Sequence, residues 1–136
     1  MKAVSAAPQT ATRAYRAFAS AGAVCGAFAV LLGAFGAHAL QGRLDAAALQ
    51  TWHTAVDYQF WHALALLVIA TQASPPRHAR AAAILFCVGI VLFCGSLYAL
   101  ALGASRAIGA VTPFGGLALI CAWLLLAIGL LRSREQ

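Results

Sequence analysis

Four ionisable residues stand out in this sequence because they lie within or beside long apolar runs: His38, His53, Asp57 and His62. Histidine and carboxylate side chains bind zinc, iron or copper, and histidine also transfers protons near neutral pH. His53 and Asp57 are four residues apart and therefore share one face of a helix. His53 and His62 are separated by about 2.5 helical turns, so they face different directions and are not expected to share one metal ion.

The same residues have a second interpretation, in which they hold helices together. A charged side chain at the centre of a membrane helix costs about 2.5–3.5 kcal/mol, so polar residues there normally find partners. Tyr58, Gln59 and His62 would then bond to neighbouring backbone or to His38 in the outer half of the membrane. Such bonds average only about 0.6 kcal/mol, but they fix helix register. We prefer this interpretation to a proton, ligand or metal site, and we predict neither a metal ion nor a cofactor.

The composition indicates lipid, not water, as the medium around these residues. Of 136 residues, 63% are hydrophobic and 9% are charged, whereas about a quarter of a soluble domain is charged. A membrane-spanning helix needs about 20 mostly apolar residues. The predicted spans cover residues 15–40, 56–73 (with a helical extension from residue 46), 79–102 and 111–131.

These spans predict an all-α fold, an integral membrane four-helix bundle with one domain over residues 15–132. Residues 1–14 are predicted to be a disordered N-terminal segment, and residues 133–136 a polar C-terminal tail. Asp45 is expected to cap the second helix by accepting bonds from its first backbone N–H groups, and Trp52 to anchor that helix at the membrane surface. Gly22 and Gly26 have the spacing that lets two helices approach closely, which we assign to packing within the bundle.

The net charge of +6 does not indicate a nucleic-acid partner, because the basic residues are scattered beside the ends of the apolar runs. With four spans, both termini and the middle loop lie on one side of the membrane. That side has seven of the nine basic residues: Lys2, Arg13, Arg16, Arg77, Arg80, Arg132 and Arg134. Since lysine and arginine concentrate in cytoplasmic segments, both termini are predicted to be cytoplasmic.

No enzyme is predicted. The sequence has no Ser-His-Asp elbow, P-loop or HExxH motif. Its three acidic residues provide few candidate groups for general acid–base catalysis. The four cysteines, Cys25, Cys87, Cys94 and Cys121, lie inside predicted spans without metal-type spacing. They are interpreted as reduced, small apolar side chains and not as a disulfide framework.

Four motifs occur in order along the chain. They are Gly33-Ala34-Phe35-Gly36-Ala37-His38, then Trp52-x-Thr54-Ala55-x-x-Tyr58-Gln59-x-x-His62, then Leu92-Phe93-Cys94-Gly95-Ser96-Leu97-Tyr98, and Thr112-Pro113-Phe114-Gly115-Gly116. Together they resemble the YgdD-like family of small inner-membrane proteins, a family of unknown function related to animal transmembrane protein 256. The resemblance implies a four-helix membrane protein and no particular reaction. It favours these positions as important: Gly36, His38, Tyr58, Gln59, His62, Ser96, Tyr98, Thr112 and Pro113.

The sequence therefore predicts a multi-pass inner-membrane protein that acts as a non-enzymatic structural or accessory subunit. The lipid bilayer is its predicted environment, and another membrane protein or a second copy its expected partner. The alternative is a bundle that conducts small molecules, protons or ions through a wet cavity lined by His38, Tyr58 and His62.

Overall fold

The computed structural model describes residues 7–72 and 74–132, and the ordered elements in these ranges are helical. Helix α1 spans Ala7–Phe35 and continues into a π-helical turn at Gly36–Leu40. Helix α2 spans Ala46–Ala70. Helices α3 (Ala79–Gly89) and α4 (Gly95–Ala101) form one rod, because the π-helical segment Ile90–Cys94 joins them without a break. A 3₁₀ turn, Arg106–Ala110, precedes helix α5, Thr112–Arg132.

The boundaries follow local sequence signals. The Asp45 carboxylate accepts a hydrogen bond from the Ala48 N–H at 2.8 Å, so the predicted cap of α2 is confirmed. The expected disorder of residues 1–14 is wrong for residues 7–14, which belong to α1. Alanine has the highest helix propensity, and a proline in the first turn loses no intrahelical hydrogen bond. The high helix propensity of alanine explains why the described part of α1 extends from Ala7, before the apolar run. Residues 1–6 and the predicted tail 133–136 lie outside the described residues.

The four rods pack side by side, with α2 and the α3–α4 rod in the centre. Helix α1 packs along α2, while α5 packs against α3 and the π segment. The largest fully buried side chains, Phe86, Leu66, Ile69 and Cys94, lie where α2 and the α3–α4 rod meet. Gly22 and Gly26 of α1 face Ala63 of α2. This pair therefore serves packing within the bundle, as predicted.

The outer surface of the bundle is apolar. Large hydrophobic side chains are more than half exposed on every rod, among them Leu31, Val68, Val91 and Leu124. Exposed apolar surface of this extent is typical of a protein surrounded by lipid. Within the described residues, three stretches are long and apolar enough to cross a membrane: Arg13–Leu40, Ala79–Ala101 and Arg106–Arg132. Helix α2 is not among them, because polar residues such as Gln50, His53 and Asp57 occupy its first half.

Candidate functional site

Gln59 joins three helices at the centre of the bundle. It belongs to the buried stripe of α2 that also contains Trp52, Ala55, His62 and Leu66. Its side-chain amide Nε2 donates to the Cys25 carbonyl of α1 at 2.8 Å. Its Oε1 accepts a hydrogen bond from the Tyr98 hydroxyl of α4 at 3.0 Å. One buried amide therefore fixes the register of α1, α2 and α4 relative to one another.

His62 joins α2 to α5, and both of its ring nitrogens have partners. Nδ1 lies 2.6 Å from the Tyr58 carbonyl oxygen, one turn earlier in α2. Nε2 lies 3.2 Å from the indole Nε1 of Trp123. A carbonyl only accepts and an indole N–H only donates, so this arrangement requires a neutral imidazole with its proton on Nδ1. Phe86 packs against the same ring, with 5.5 Å between centroids.

Ser96 and Thr112 join α4 to α5 through their hydroxyl groups, which are 2.8 Å apart. The Ser96 hydroxyl also donates to the Phe93 carbonyl in the π segment at 2.9 Å. Because a hydroxyl has a single proton to donate, Thr112 is the donor to Ser96. The pair lies where α5 begins, so it sets the position of α5 against the end of the α3–α4 rod.

Trp52 lies between helices and does not face lipid. It was expected to anchor α2 at the membrane surface, but its side chain is 3% exposed, so it packs inside the bundle. Its indole N–H donates to the Leu32 carbonyl of α1 at 2.9 Å, and its ring lies 4.7 Å from that of Tyr98. The signal was available in the spacing: Trp52, Gln59 and His62 recur at seven and three residues, which places them on one stripe of a helix.

The structure divides the predicted polar cluster into an inner and an outer group. Gln59, His62 and Ser96 are buried, whereas His38 is exposed in the π turn after α1 and Asp57 is exposed on α2. The hydrogen bonds of His62 run to Tyr58 and Trp123 and not to His38. Within residues 7–72 and 74–132, no three His, Cys, Asp or Glu side chains are grouped so that they could hold a metal ion.

Removal of the Gln59–Tyr98 bond tests whether these contacts hold helices together. We expect Gln59→Leu and Tyr98→Phe each to lower the free energy of unfolding in detergent micelles. The double variant should lose less than the sum of the two, by a coupling free energy of about 0.6 kcal/mol, the average for such membrane bonds. Tyr15→Phe is the matched control, since Tyr15 is half-buried on α1, ten residues before the Cys25 carbonyl that Gln59 contacts. Strict additivity of Gln59→Leu and Tyr98→Phe would contradict the assignment.

The sequence of the chain is similar to one family of membrane proteins. The profile of DUF423, described as a protein of unknown function, matches residues 32–116. The chain is 43% identical over 116 residues to the UPF0382 membrane protein YwdK of Bacillus subtilis, covering 83% of this chain and 94% of that protein. It is 36% identical over 116 residues to the UPF0382 inner membrane protein YgdD of Escherichia coli, covering 84% and 88% respectively. No solved structure matches the chain significantly.

Proposed function

The chain belongs to the DUF423 family of membrane proteins of unknown function, and from this premise we propose that it is a non-enzymatic structural or accessory subunit. The resemblance to the YgdD-like family that its motifs indicate is confirmed. The proposal includes a four-span bundle in the bacterial inner membrane with both termini in the cytoplasm. The printed description of the Escherichia coli relative as an inner membrane protein supports that location.

The packing of α2 supports a fourth crossing. Helix α2 runs antiparallel to α1 along its length, since Gly36 faces Trp52 at one end and Gly22 faces Leu66 nearer the other. Its 25 residues correspond to about 37 Å at 1.5 Å per residue. Phe60, Trp61, Leu64 and Val68 form an exposed apolar stripe on its outer face. A helix of this length that lies beside a spanning neighbour is long enough to cross the same thickness of lipid.

The proposed orientation can be measured with tags at the two ends of the chain. We expect an N-terminal and a C-terminal epitope tag both to resist protease in intact spheroplasts and both to be cut in inverted membrane vesicles. The reason is that four crossings return the chain to the side where most basic residues lie. A tag inserted at Gly42, in the loop between α1 and α2, is the control and should show the opposite pattern. Opposite behaviour of the two terminal tags would mean three crossings and would exclude this topology.

One observation carries the structural role: the buried polar side chains are already bonded. Within the described residues, no buried side-chain nitrogen or oxygen atom lacks a hydrogen-bond partner. The bonds of Gln59, His62 and Ser96 cross helix boundaries. A catalytic or conducting site needs polar groups that are free to bind a substrate or an ion. The buried polar groups described here are instead hydrogen-bonded to other side chains or to backbone carbonyls.

Purification in mild detergent after crosslinking in cells tests this role. We expect the tagged chain to copurify in a stoichiometric assembly with at least one more polypeptide. The same assembly should be recovered when that second polypeptide carries the tag instead. A solitary monomer that retains a small molecule would contradict the structural role.

Reconstitution in liposomes tests the alternative that the bundle conducts protons, which no contact described above favours. Proton flux through the wild-type chain that is lost in His38→Ala and His62→Ala would replace our proposal with that function.

A further inference from the structure

An apolar groove lies between α2 and α5 on the surface of the bundle. Its volume is about 260 Å³. It is lined by apolar side chains of α2 between Trp61 and Ile69 and by Trp123 and Leu126 of α5. Trp61 and Val68 are more than half exposed, so the groove is open to the surrounding lipid.

One end of this groove lies where α5 ends and α3 begins. Gly129 follows Leu126 by three residues on α5, and an added Cβ atom at Gly129 would collide with the carbonyl group of Arg77. The turn between α2 and α3 therefore packs against the end of α5. Arg80 lies in the first turn of α3, and Arg132 is the last residue of α5. The backbones of three arginines are thus brought together at this end of the groove.

The three arginines have no counter-charge in the described part of the chain. Their side chains are exposed, and none forms an ion pair or a hydrogen bond with a described residue. The two described carboxylates lie elsewhere. Asp57 is about 20 Å from Ala70 along the axis of α2, and Asp45 precedes the opposite end of that helix. The charge of the three guanidinium groups is therefore available to an anion from outside the chain.

The distances along the helices match one leaflet of a bilayer. Trp123 lies nine residues before Arg132 on α5, which corresponds to about 14 Å along the axis. Trp61 lies nine residues before Ala70, the last residue of α2, so it is at a similar depth. Half of the hydrocarbon core of a bilayer is about 15 Å thick. The groove therefore lies in the acyl-chain layer, and the arginines lie at the level of the phosphate groups.

We propose that this site binds one anionic phospholipid, with an acyl chain in the α2–α5 groove and the phosphodiester at Arg77, Arg80 and Arg132. Guanidinium groups bind phosphate oxygens through paired N–H donors. A zwitterionic lipid would place a further positive charge beside the three arginines, and an acidic protein segment would leave the apolar groove unfilled. The inference goes beyond the proposed structural role. It takes from the proposed topology that α2 and α5 cross the bilayer, and in that topology the lipid belongs to the cytoplasmic leaflet.

Quenching of tryptophan fluorescence by brominated acyl chains tests the site, because Trp61 and Trp123 line the groove whereas Trp52 is buried. The full chain is reconstituted in phosphatidylcholine vesicles that contain a small fraction of brominated phosphatidylglycerol or, for comparison, of brominated phosphatidylcholine. We expect the quenching curves to give a preference for phosphatidylglycerol of roughly tenfold or more, as several basic residues near one phosphate predict. Both leaflets of such vesicles have the same composition, so the result does not depend on the orientation of the chain.

Two pairs of arginine substitutions locate the headgroup. The double variant Arg77→Gln, Arg80→Gln should lose most of the preference for phosphatidylglycerol. The matched control, Arg43→Gln with Arg106→Gln, removes the same charge from exposed positions in the two loops at the other end of the bundle. This control should keep the preference. Circular dichroism should show the same helix content in both double variants.

A second pair of substitutions locates the acyl chain. Val68→Phe narrows the groove and should reduce quenching by brominated phosphatidylglycerol, although every arginine is retained. Val24→Phe makes the same change at a position on α1 that is also more than half exposed and does not line the groove. It should leave the quenching unchanged. Equal quenching in these two variants would overturn the proposed position of the lipid.

The remaining outcomes separate this inference from the proposed topology. Equal quenching of the wild-type chain by the two brominated lipids overturns the lipid site and leaves the arginines to an acidic protein. Equal losses in the two arginine pairs would assign the preference to the net charge of the whole chain, which also overturns the site. Two cytoplasmic termini without a lipid preference would refute this inference alone. Termini on opposite sides of the membrane would refute the topology, whatever the lipid result.

Discussion

Replacing Gly115 by alanine is expected to lower the free energy of unfolding by about 3 kcal/mol, near the upper end for overpacked sites. Gly115 is buried in α5, and a Cβ atom there would collide with the backbone nitrogen of Phe93 and lie 2.7 Å from its Cα. Phe93 belongs to the π segment between α3 and α4. Backbone atoms cannot rotate away as a side chain does, so α5 must move off the rod.

The neighbouring glycine provides the control. At Gly116 the nearest atoms to an added Cβ are ring carbons of Phe93 at 3.6 and 3.7 Å, an ordinary contact distance. Gly116→Ala should leave stability unchanged or raise it by up to about 1 kcal/mol, because alanine favours the helix. Unfolding by sodium dodecyl sulfate in mixed micelles, followed by circular dichroism, measures both variants. Similar losses for the two substitutions would refute the close approach of α5 to the π segment.

Replacing His62 by phenylalanine is expected to lower the free energy of unfolding by about 1–2 kcal/mol. The ring volume is retained, but the bonds to the Tyr58 carbonyl and to the Trp123 indole are lost. The indole N–H then faces an apolar ring without an acceptor, and an unsatisfied donor in a water-poor environment costs about 1–3 kcal/mol. Trp123 fluorescence should also shift, because its N–H loses its hydrogen bond.

The same substitution at His38 provides the comparison for His62. His38 is exposed in the middle of the π turn after α1, so His38→Phe should change stability by less than about 0.5 kcal/mol, as for other surface substitutions. The same unfolding assay measures it. If His38→Phe destabilised the chain as much as His62→Phe, the division into an inner and an outer polar group would be wrong.

Much of the helical arrangement was predictable because hydropathy directly reports which segments prefer lipid. The predicted spans at residues 79–102 and 111–131 differ by at most one residue at either end from Ala79–Ala101 and from α5. The polar start of α2 was also visible, and it is why that helix is absent from the candidate spans. Hydropathy alone therefore does not decide between three and four membrane crossings, and topology experiments are needed to count them.

The partners of the polar residues were less predictable. Gln59 and Trp52 bond to the backbone carbonyls of Cys25 and Leu32, and a carbonyl acceptor has no residue-specific signal in the sequence. The π segments also lack such a signal, because they differ from α-helix by one extra residue in a turn. One of them contains His38, which was expected to bond within the polar cluster in the outer half of the membrane and which is exposed.

The bond between His62 and Trp123 has a consequence for the order in which the protein is built. Helix α2 leaves the ribosome well before α5, so the Nε2 atom of His62 stays without its indole partner until the last helix has been inserted. Up to that moment the α1–α2 hairpin is held by Trp52 and by Gln59 with the Cys25 carbonyl. A nascent chain that stops short of α5 therefore leaves the Nε2 atom of His62 without its hydrogen-bond donor.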